Sequence, residues 1–221
     1  MDTQENVLLS ACEVFSLHGY HSATTAEICS KAGANIAAIN YYYRGKKNIY
    51  MAVWEKLSLD DKAQRASEIP ARGSVRERLF ALLRYNVMAV LTTGSANWFT
   101  KIVHRELSSP SPMHGELFNH YLEPMQNQFL AVIRDFLGEQ ADENNVRLCS
   151  LCVHGPIYDL LSFRIKWDES QAAKGTQYPL FGARSVFIED PEALIQHIQH
   201  YTLGGLDAVR NNQCIAKSHR L

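Results

Sequence analysis

Two short helices joined by a tight turn are predicted between residues 24 and 43, and no other stretch constrains the fold as strongly. Thr24 stands three residues before Glu27, the spacing of a capping box, in which the side chains at the start of a helix bond to its free backbone N–H groups. Gly33 follows about eight residues of helix, and glycine readily adopts the left-handed conformation that ends a helix. Asn35 can then cap the second helix.

The second predicted helix has two different faces. Ile36, Ile39 and Tyr43 recur at i, i+3 and i+7, so we expect them to form one buried apolar face. The opposite face carries two small side chains and one long hydrogen-bond donor: Ala37, Ala38 and Tyr41. A short exposed helix with small side chains can approach a groove closely, as the second helix of a helix-turn-helix does.

Positive charge surrounds this pair of helices. Between Ile28 and Trp54 the chain has no Asp or Glu, and its basic residues there are Lys31, Arg44, Lys46 and Lys47. Lysines, threonines and tyrosine hydroxyls are suited to contact phosphate oxygens. The pattern therefore favours a DNA-reading surface, although a packed helical hairpin with solvated charges would have the same composition.

The order of residues decides between these two interpretations. Residue types and spacings agree with a known pattern over roughly the first fifty residues, at Gly19-Tyr20, Thr24-Thr25, Glu27-Ile28, Ala32-Gly33, Ile39, Tyr41-Tyr42-Tyr43, Lys46 and Tyr50. This run resembles the N-terminal domain of the TetR family of bacterial regulators. The segment from Asn35 to Ile39, followed by tyrosines, resembles the CecR-like subgroup, as does Arg105-Glu106 before a Ser-Pro stop.

The resemblance implies an all-α fold of about nine helices. Residues 1–50 would form a three-helix helix-turn-helix DNA-binding domain, and residues 51–221 a helical ligand-binding and dimerisation domain. The protein would be a homodimer, paired through its last two long helices, with two reading helices in successive major grooves of double-stranded DNA. The expected DNA contacts are Thr24, Thr25, Asn35, Ala37, Ala38, Asn40, Tyr41, Tyr42, Lys46 and Lys47. Asn40 stands where many members carry an aromatic residue.

The sequence of the C-terminal part predicts a mostly apolar wall with a few polar groups, suited to a hydrophobic inducer, aromatic compounds included. The candidate ligand-binding residues are Trp98, Phe99, Ile102, His104, Arg105, Met113, Phe118, Tyr121, His154 and Tyr158. Methionines and aromatics at helical spacing are equally typical of a core. The polar cluster from His104 to Glu106 could also be an ion-paired surface turn.

Several features bear on the C-terminal helices. Pro124 and the Gly155-Pro156 pair are expected to bend or break the helices that contain them. Residues 168–189 are predicted to be a long irregular stretch that covers a pocket or reaches a partner subunit. Asp190 and Pro191 then start the last helix, in which Gly204-Gly205 would permit close packing against a symmetry mate.

Composition limits the possible functions. The formal net charge of the 221 residues is −1, so affinity for nucleic acid must come from a local patch that symmetry doubles. No apolar run approaches the ~20 residues that span a bilayer, and the N-terminus lacks the pattern of a signal peptide. The five cysteines are read as cytoplasmic free thiols. Cys149-x-x-Cys152 has no second cysteine pair to complete a metal site.

Three functions follow in order of preference. The first is a homodimeric repressor that a small hydrophobic molecule releases from a palindromic operator. The second is a DNA-binding protein that senses no ligand. The third is a small helical enzyme, but no nucleophile stands beside a base, and motifs for nucleotide, metal or acyl-transfer chemistry were not found. We therefore expect no catalytic residue, metal or cofactor.

Overall fold

The computed structural model describes residues 2–139, 141–172 and 190–218, and every regular element in those ranges is helical. Side chains are described up to residue 166 in the ninth helix and residue 212 in the tenth. The elements are α1 (Thr3–Ser22), α2 (Thr25–Ala32), α3 (Ala37–Tyr43), α4 (Lys46–Glu68), α5 (Val75–Leu91), a 3₁₀ turn (Gly94–Asn97), α6 (Trp98–Ser108), α7 (His114–Leu117), a π-helical turn (Phe118–Leu122), α8 (Glu123–Leu137), α9 (Glu143–Ala172) and α10 (Pro191–Ser218). The predicted all-α class is confirmed.

The chain divides into two compact units. The first unit comprises Met1–Arg65 and Thr92–Leu122, and the second comprises Ala66–Leu91 and Glu123–Leu221. The first unit therefore joins the N-terminal helices to α6 and α7. The boundary predicted at residue 50 lies inside α4, and a division of function there stays a prediction.

Aromatic side chains connect the helices of the first unit. The ring of Tyr50 on α4 lies edge-on to that of Phe15 on α1, with their centroids 4.8 Å apart. One turn later, Trp54 lies 5.8 Å from Phe99 on α6 and 5.8 Å from Tyr121 in the π-helical turn, again between centroids. Such contacts stabilise a core beyond the area that they bury. Helices α1, α4 and α6 thus share one apolar core.

The second unit has its own core, built from α5, α8, α9 and α10. Each of these helices contributes buried aliphatic side chains, among them Leu83, Ile133, Val146 and Ile195. In α5 the buried leucines follow the 3.6-residue period of the sequence, which is the pattern that packing one face of a helix produces.

Proline acts differently at its two predicted positions. The helix expected to bend or break at Pro124 is divided into α7, the π-helical turn and α8, with Pro124 in the first turn of α8. A proline has no backbone N–H to donate to the carbonyl one turn before it. The wider π-helical turn lies directly before α8, in that preceding turn. Helix α9, by contrast, continues through Pro156 without a break.

The predicted irregular stretch at 168–189 is partly helical, because α9 continues to Ala172. Residues 173–189 lie outside the described residues. The helices that the structure describes include none with the length and apolarity needed to cross a membrane. Cys12, Cys29, Cys149 and Cys152, whose side chains are described, carry free thiols.

Candidate nucleic-acid interface

Local hydrogen bonds shape the turn between α2 and α3. The hydroxyl of Thr24 accepts from the backbone N–H of Glu27 at 3.1 Å, which is the first half of the predicted capping box, while the Glu27 carboxylate lies 3.0 Å from His18 Nε2. Gly33 has a φ of +61° and donates its N–H to the carbonyls at the end of α2, including that of Ser30. The side chain of Asn35 then accepts from the N–H of Ala37 at 2.9 Å, and so caps α3.

The buried face of α3 holds it against the first helix. Ile39 is only 1% exposed, and Tyr43 is also buried. The hydroxyl of Tyr43 donates to the backbone carbonyl of Gln4 at 3.1 Å. Burial raises the pKa of Tyr43, which keeps the hydroxyl protonated as a donor. These contacts fix the orientation of α3 on α1.

The prediction that Ile36 belongs to the buried face of α3 is wrong, because the exposed fraction of Ile36 is 52%. Its backbone is already helical, with φ −56° and ψ −26°. At about 100° per residue, Ile36 lies roughly 60° from Ile39 and roughly 40° from Asn40 around the helix. Asn40 is exposed, so Ile36 lies between the two faces and periodicity alone could not place it.

The exposed face of α3 presents small and tyrosyl side chains. Tyr41 is 80% exposed, and its ring lies edge-on to that of Tyr42 with centroids 4.9 Å apart. Of the ten residues predicted to contact DNA, six are exposed: Thr24, Asn35, Ala37, Asn40, Tyr41 and Lys47. The other four are partly exposed: Thr25, Ala38, Tyr42 and Lys46. All ten are therefore at least partly accessible to solvent.

The two lysines at the start of α4 have different surroundings. Lys46 donates to the backbone carbonyl of His21 at 3.3 Å, and its ammonium lies 4.7 Å from the centroid of the Tyr20 ring. Burial lowers the pKa of Lys46. Lys47 is exposed. The first lysine thus joins α4 to the end of α1, whereas the second stays on the surface.

Two other cations flank the turn. Arg44 is exposed and ends α3 with a φ of +57°, donating its N–H to the carbonyl of Asn40. Lys31 forms an ion pair with Glu13, with a 2.7 Å separation between nitrogen and oxygen. Arg44 and Lys47 are therefore the exposed cations closest in sequence to the free face of α3.

A second cluster, the α6 anchor (Arg105 and Glu106), attaches α6 to the N-terminal helices. The Glu106 side chain is fully buried. It accepts from the Tyr50 hydroxyl at 2.7 Å and from the N–H and hydroxyl of Ser111 at 2.9 and 3.1 Å, while His114 Nδ1 lies 3.1 Å away. Burial raises the pKa of Tyr50, so that its hydroxyl remains a donor to this carboxylate.

The Arg105 half of the α6 anchor reaches α1. Its Nε donates to the backbone carbonyl of Ser16 at 3.0 Å. Gly19, where α1 has a non-helical φ of +69°, lies against the same side chain, because a Cβ built there would be 3.4 Å from Arg105 Cδ. A surface turn was one interpretation of this cluster, and the buried Glu106 contradicts it. The sequence feature that indicated the burial of Glu106 was its position four residues after the buried Ile102, on the same face of α6.

The ten predicted ligand-binding residues are distributed over both units. Eight belong to the first unit: Trp98, Phe99, Ile102, His104, Arg105, Met113, Phe118 and Tyr121. Among these, Phe99, Ile102 and Met113 are buried. In the second unit, His154 Nδ1 lies 2.9 Å from the carbonyl of Ser150, and Tyr158 is exposed. That these residues bind a ligand stays a prediction.

Family comparison accounts for both parts of the chain. Residues 7–53 match the model of the bacterial regulatory proteins of the tetR family. Residues 75–206 match the C-terminal domain of the HTH-type transcriptional dual regulator CecR. The chain belongs to the CecR-like subgroup of the TetR family. The CecR-like model alone covers more than half of the 221 residues.

Individual relatives of this TetR-family protein agree. It is 28% identical to the HTH-type transcriptional dual regulator CecR of Shigella flexneri over 173 residues, which cover 73% of this chain and 75% of that one. It is 24% identical to the probable HTH-type transcriptional regulator YttP of Bacillus subtilis (strain 168), over 65% of this chain and 68% of that one. The protein is a DNA-binding transcriptional regulator.

Solved structures share the fold at low identity. The regulator FadR of Bacillus subtilis, in complex with stearoyl-CoA, superposes with a TM-score of 0.61 at 17% identity, covering 91% of this chain and 98% of that one. A TetR-like regulator from Rhodococcus sp. RHA1 gives 0.65 at 16% identity, covering 93% and 96%. These likenesses concern the fold alone.

Proposed function

We propose that this TetR-family regulator is a cytoplasmic homodimeric repressor, which a small hydrophobic molecule releases from a palindromic operator. The observation that carries this proposal is the α6 anchor. Through it, α6 is bonded to α1 at Ser16 and to α4 at Tyr50. A molecule that displaces α6 would therefore change the position of the helices that support α3. A ligand needs only a few kcal/mol of differential affinity to shift such an equilibrium.

The proposed DNA surface is the exposed side of α3 with its neighbours, comprising the ten contacts named above. Ala37, Asn40 and Tyr41 would face the major groove. Lys47 and the tyrosine hydroxyls would contact phosphates, and Lys46 would hold α4 in place. Two such surfaces on one side of a duplex would bind half-sites one helical turn apart, about 34 Å, which gives the operator its two-fold symmetry.

The proposed dimer forms through α9 and α10 of the second unit. Large apolar side chains are exposed on both helices: Leu148, Leu151, Tyr158 and Tyr201. Gly204 and Gly205 are also exposed, and a Cβ built on either would meet no described atom within 4 Å outside its chain neighbours and the backbone of its own helix. Pairing with a second copy, as a four-helix bundle, would cover these side chains and use the space at the two glycines.

The proposed inducer is mostly hydrophobic, because apolar and aromatic residues predominate in the predicted wall. Within the first unit, Trp98, Phe118 and Tyr121 are partly exposed, whereas Phe99 and Met113 are buried. Stearoyl-CoA is the molecule bound by the FadR structure, and a long acyl chain is a reasonable first probe here. The alternative is a regulator that binds DNA without sensing any ligand.

DNA binding is tested by enriching duplexes from a random pool with the purified protein. We expect a palindromic sequence. Tyr41→Ala and Lys47→Ala should weaken binding to it at least tenfold while melting temperatures stay unchanged, because both side chains are exposed. Lys62→Ala, an exposed lysine further along α4, is the matched control. Enrichment of no sequence, or full affinity in both variants, would contradict the proposed surface.

Ligand response is tested on the same duplex, with stearoyl-CoA and a panel of aromatic compounds as probes. We expect at least one probe to release the DNA. Arg105→Met should keep DNA binding but lose most of the release, since α6 would no longer hold α1. Arg72→Met, at an exposed position, should behave as wild type. If no compound releases the DNA, the alternative without a ligand is favoured.

Dimerisation is tested by light scattering on Leu151→Asp. Leu151 is 69% exposed on α9, so the change should leave the monomer folded but separate the dimer. Affinity for the palindrome should then fall about a hundredfold or more. Each monomer binds a single half-site, and its binding no longer places a second reading surface next to the other half-site. Leu107→Asp, exposed on α6, should remain dimeric. A dimeric Leu151→Asp protein would place the interface elsewhere.

A further inference from the structure

We infer that Ile36 is a specificity residue of the reading surface, and that it contacts the 5-methyl group of a thymine in the major groove. This inference rests on the proposed function, because it requires α3 to lie against DNA. It adds a residue to the DNA contacts and assigns that residue a chemical partner.

The first observation is the exposure of Ile36. Among the isoleucines whose side chains are described, Ile36 is the one that is exposed, at 52%. Ile28 and Ile39, which flank it on α2 and α3, are exposed by 0% and 1%. Leaving a large aliphatic side chain in water forgoes the stabilisation that burial would give. A partner that covers Ile36 would recover that stabilisation.

The second observation is the surface to which Ile36 belongs. Ile36 and Asn40 are four positions apart, as are Ala37 and Tyr41, and side chains at this spacing are neighbours on a helix. All four are exposed. Ala37 is small, so it does not hold a flat partner away from the isoleucine. The exposed isoleucine is therefore part of the same face that the proposed function assigns to DNA.

Charge identifies the partner as a polyanion. The segment from Ile28 to Trp54 has no acidic residue, and Arg44 and Lys47 are exposed on it. An apolar patch surrounded by cations suits a DNA groove, which presents base edges between two rows of phosphates. A second copy of this chain would bring the same cations close together, which is unfavourable.

The chemistry of the groove selects thymine. In the major groove, the thymine 5-methyl group is the apolar feature of the base edges, and aliphatic side chains contact it. Asn40, one turn further along the same face, carries the amide that can form two hydrogen bonds with adenine. Together the two side chains favour A·T pairs at neighbouring positions of each half-site.

The test uses the duplex that wild-type protein enriches from a random pool. Each thymine is replaced in turn by deoxyuridine, symmetrically in both half-sites, which removes only the methyl group. We expect one sensitive position per half-site. The loss should be about fourfold for each methyl, and so roughly tenfold or more for the symmetric change.

The protein variants then connect that position to Ile36. Ile36→Ala should bind the unmodified duplex about as weakly as wild type binds the deoxyuridine duplex. Its affinity should fall no further when the sensitive thymine is replaced by deoxyuridine. Ile36→Val should retain part of the sensitivity, so it serves the same comparison if Ile36→Ala binds too weakly to measure. Leu59→Ala, at another exposed aliphatic position of the first unit, should match wild type throughout.

Two results overturn the inference while leaving the proposed function intact. One is a palindrome with no uracil-sensitive position. The other is a sensitive position whose loss is unchanged in Ile36→Ala and Ile36→Val, which would assign the methyl contact to another side chain. If the random pool yields no enriched duplex, the proposed function itself fails, and the inference fails with it.

Discussion

The reading turn (residues 24–43) and the α6 anchor are both held by hydrogen bonds, but those bonds span very different lengths of chain. In the reading turn, Thr24 bonds to a residue three positions away. In the α6 anchor, Tyr50 and Glu106 are 56 positions apart, and Arg105 is 89 positions from its acceptor. The turn is thus closed by local caps, although Tyr43 and Ala32 also bond to α1, whereas the Tyr50 and Arg105 bonds of the anchor form only when distant segments pack together.

This difference suggests a division of labour within the first unit. A turn closed by its own caps keeps its shape while it presents side chains to a partner. An anchor made of long-range bonds is sensitive to any shift of α6. Four experiments can break or sharpen this comparison, and the expected effects become smaller from the first to the last.

The largest effect is expected from cutting the buried half of the anchor with Glu106→Ala. The change removes the acceptor of Tyr50 and Ser111 and leaves their donors buried, which should lower the free energy of unfolding by about 3 kcal/mol. Urea unfolding followed by tryptophan fluorescence would measure it. Glu116→Ala, at an exposed glutamate on α7, is the control, and equal midpoints for both variants would show that the anchor is not stabilising.

Gly19→Ala addresses the other half of the anchor. The φ of +69° and ψ of 179° at Gly19 belong to a region that essentially only glycine adopts, so the change should destabilise by about 2 kcal/mol. The new methyl group would also press on Arg105. Thermal unfolding is the measurement, and Gly115→Ala, which has open space around its Cβ, should be neutral or slightly stabilising. A neutral Gly19→Ala would mean that α1 tolerates a different backbone there.

Thr24→Ala tests the local closure of the reading turn. Loss of the cap should cost about 1 kcal/mol, less than either change in the anchor. Thr24→Ser should restore stability, since serine keeps the hydroxyl that accepts from Glu27. Chemical denaturation of the three proteins side by side would give the ranking. A larger loss than in Glu106→Ala would reverse the proposed contrast.

The smallest effect concerns the core beneath the reading turn. Burial raises the pKa of Cys12 to about 12, so this thiol stays neutral between pH 7 and 9 and should resist alkylation over that whole range. In Arg105→Met it should remain resistant at pH 8, because Asn6 bonds to Ala32 and Tyr43 to Gln4 independently of α6. Mass spectrometry after iodoacetamide treatment would measure it, with the same protein unfolded in urea as the reactive control. Rapid labelling of Cys12 in this variant would show that the reading helices depend on the anchor.

The ligand wall illustrates a limit of reasoning from composition. Phe99, Ile102 and Met113 were predicted to line a cavity, and they are buried in the first unit. An apolar side chain has the same sequence pattern whether it fills a core or faces a pocket, because both environments exclude water. Arg105 was predicted as a polar ligand group, and its bond to α1 could not be inferred from neighbouring residues.

The sequence by itself determined the features whose causes lie within about one helical turn. The cap at Thr24, the left-handed Gly33, the cap at Asn35 and the burial of Ile39 all follow from residues that are close along the chain. Only the tertiary structure decided the exposure of Ile36, the burial of Glu106 and the membership of residues 92–122 in the first unit. These three features depend on which distant segments of the chain pack together, and short-range sequence patterns carry no information about that packing.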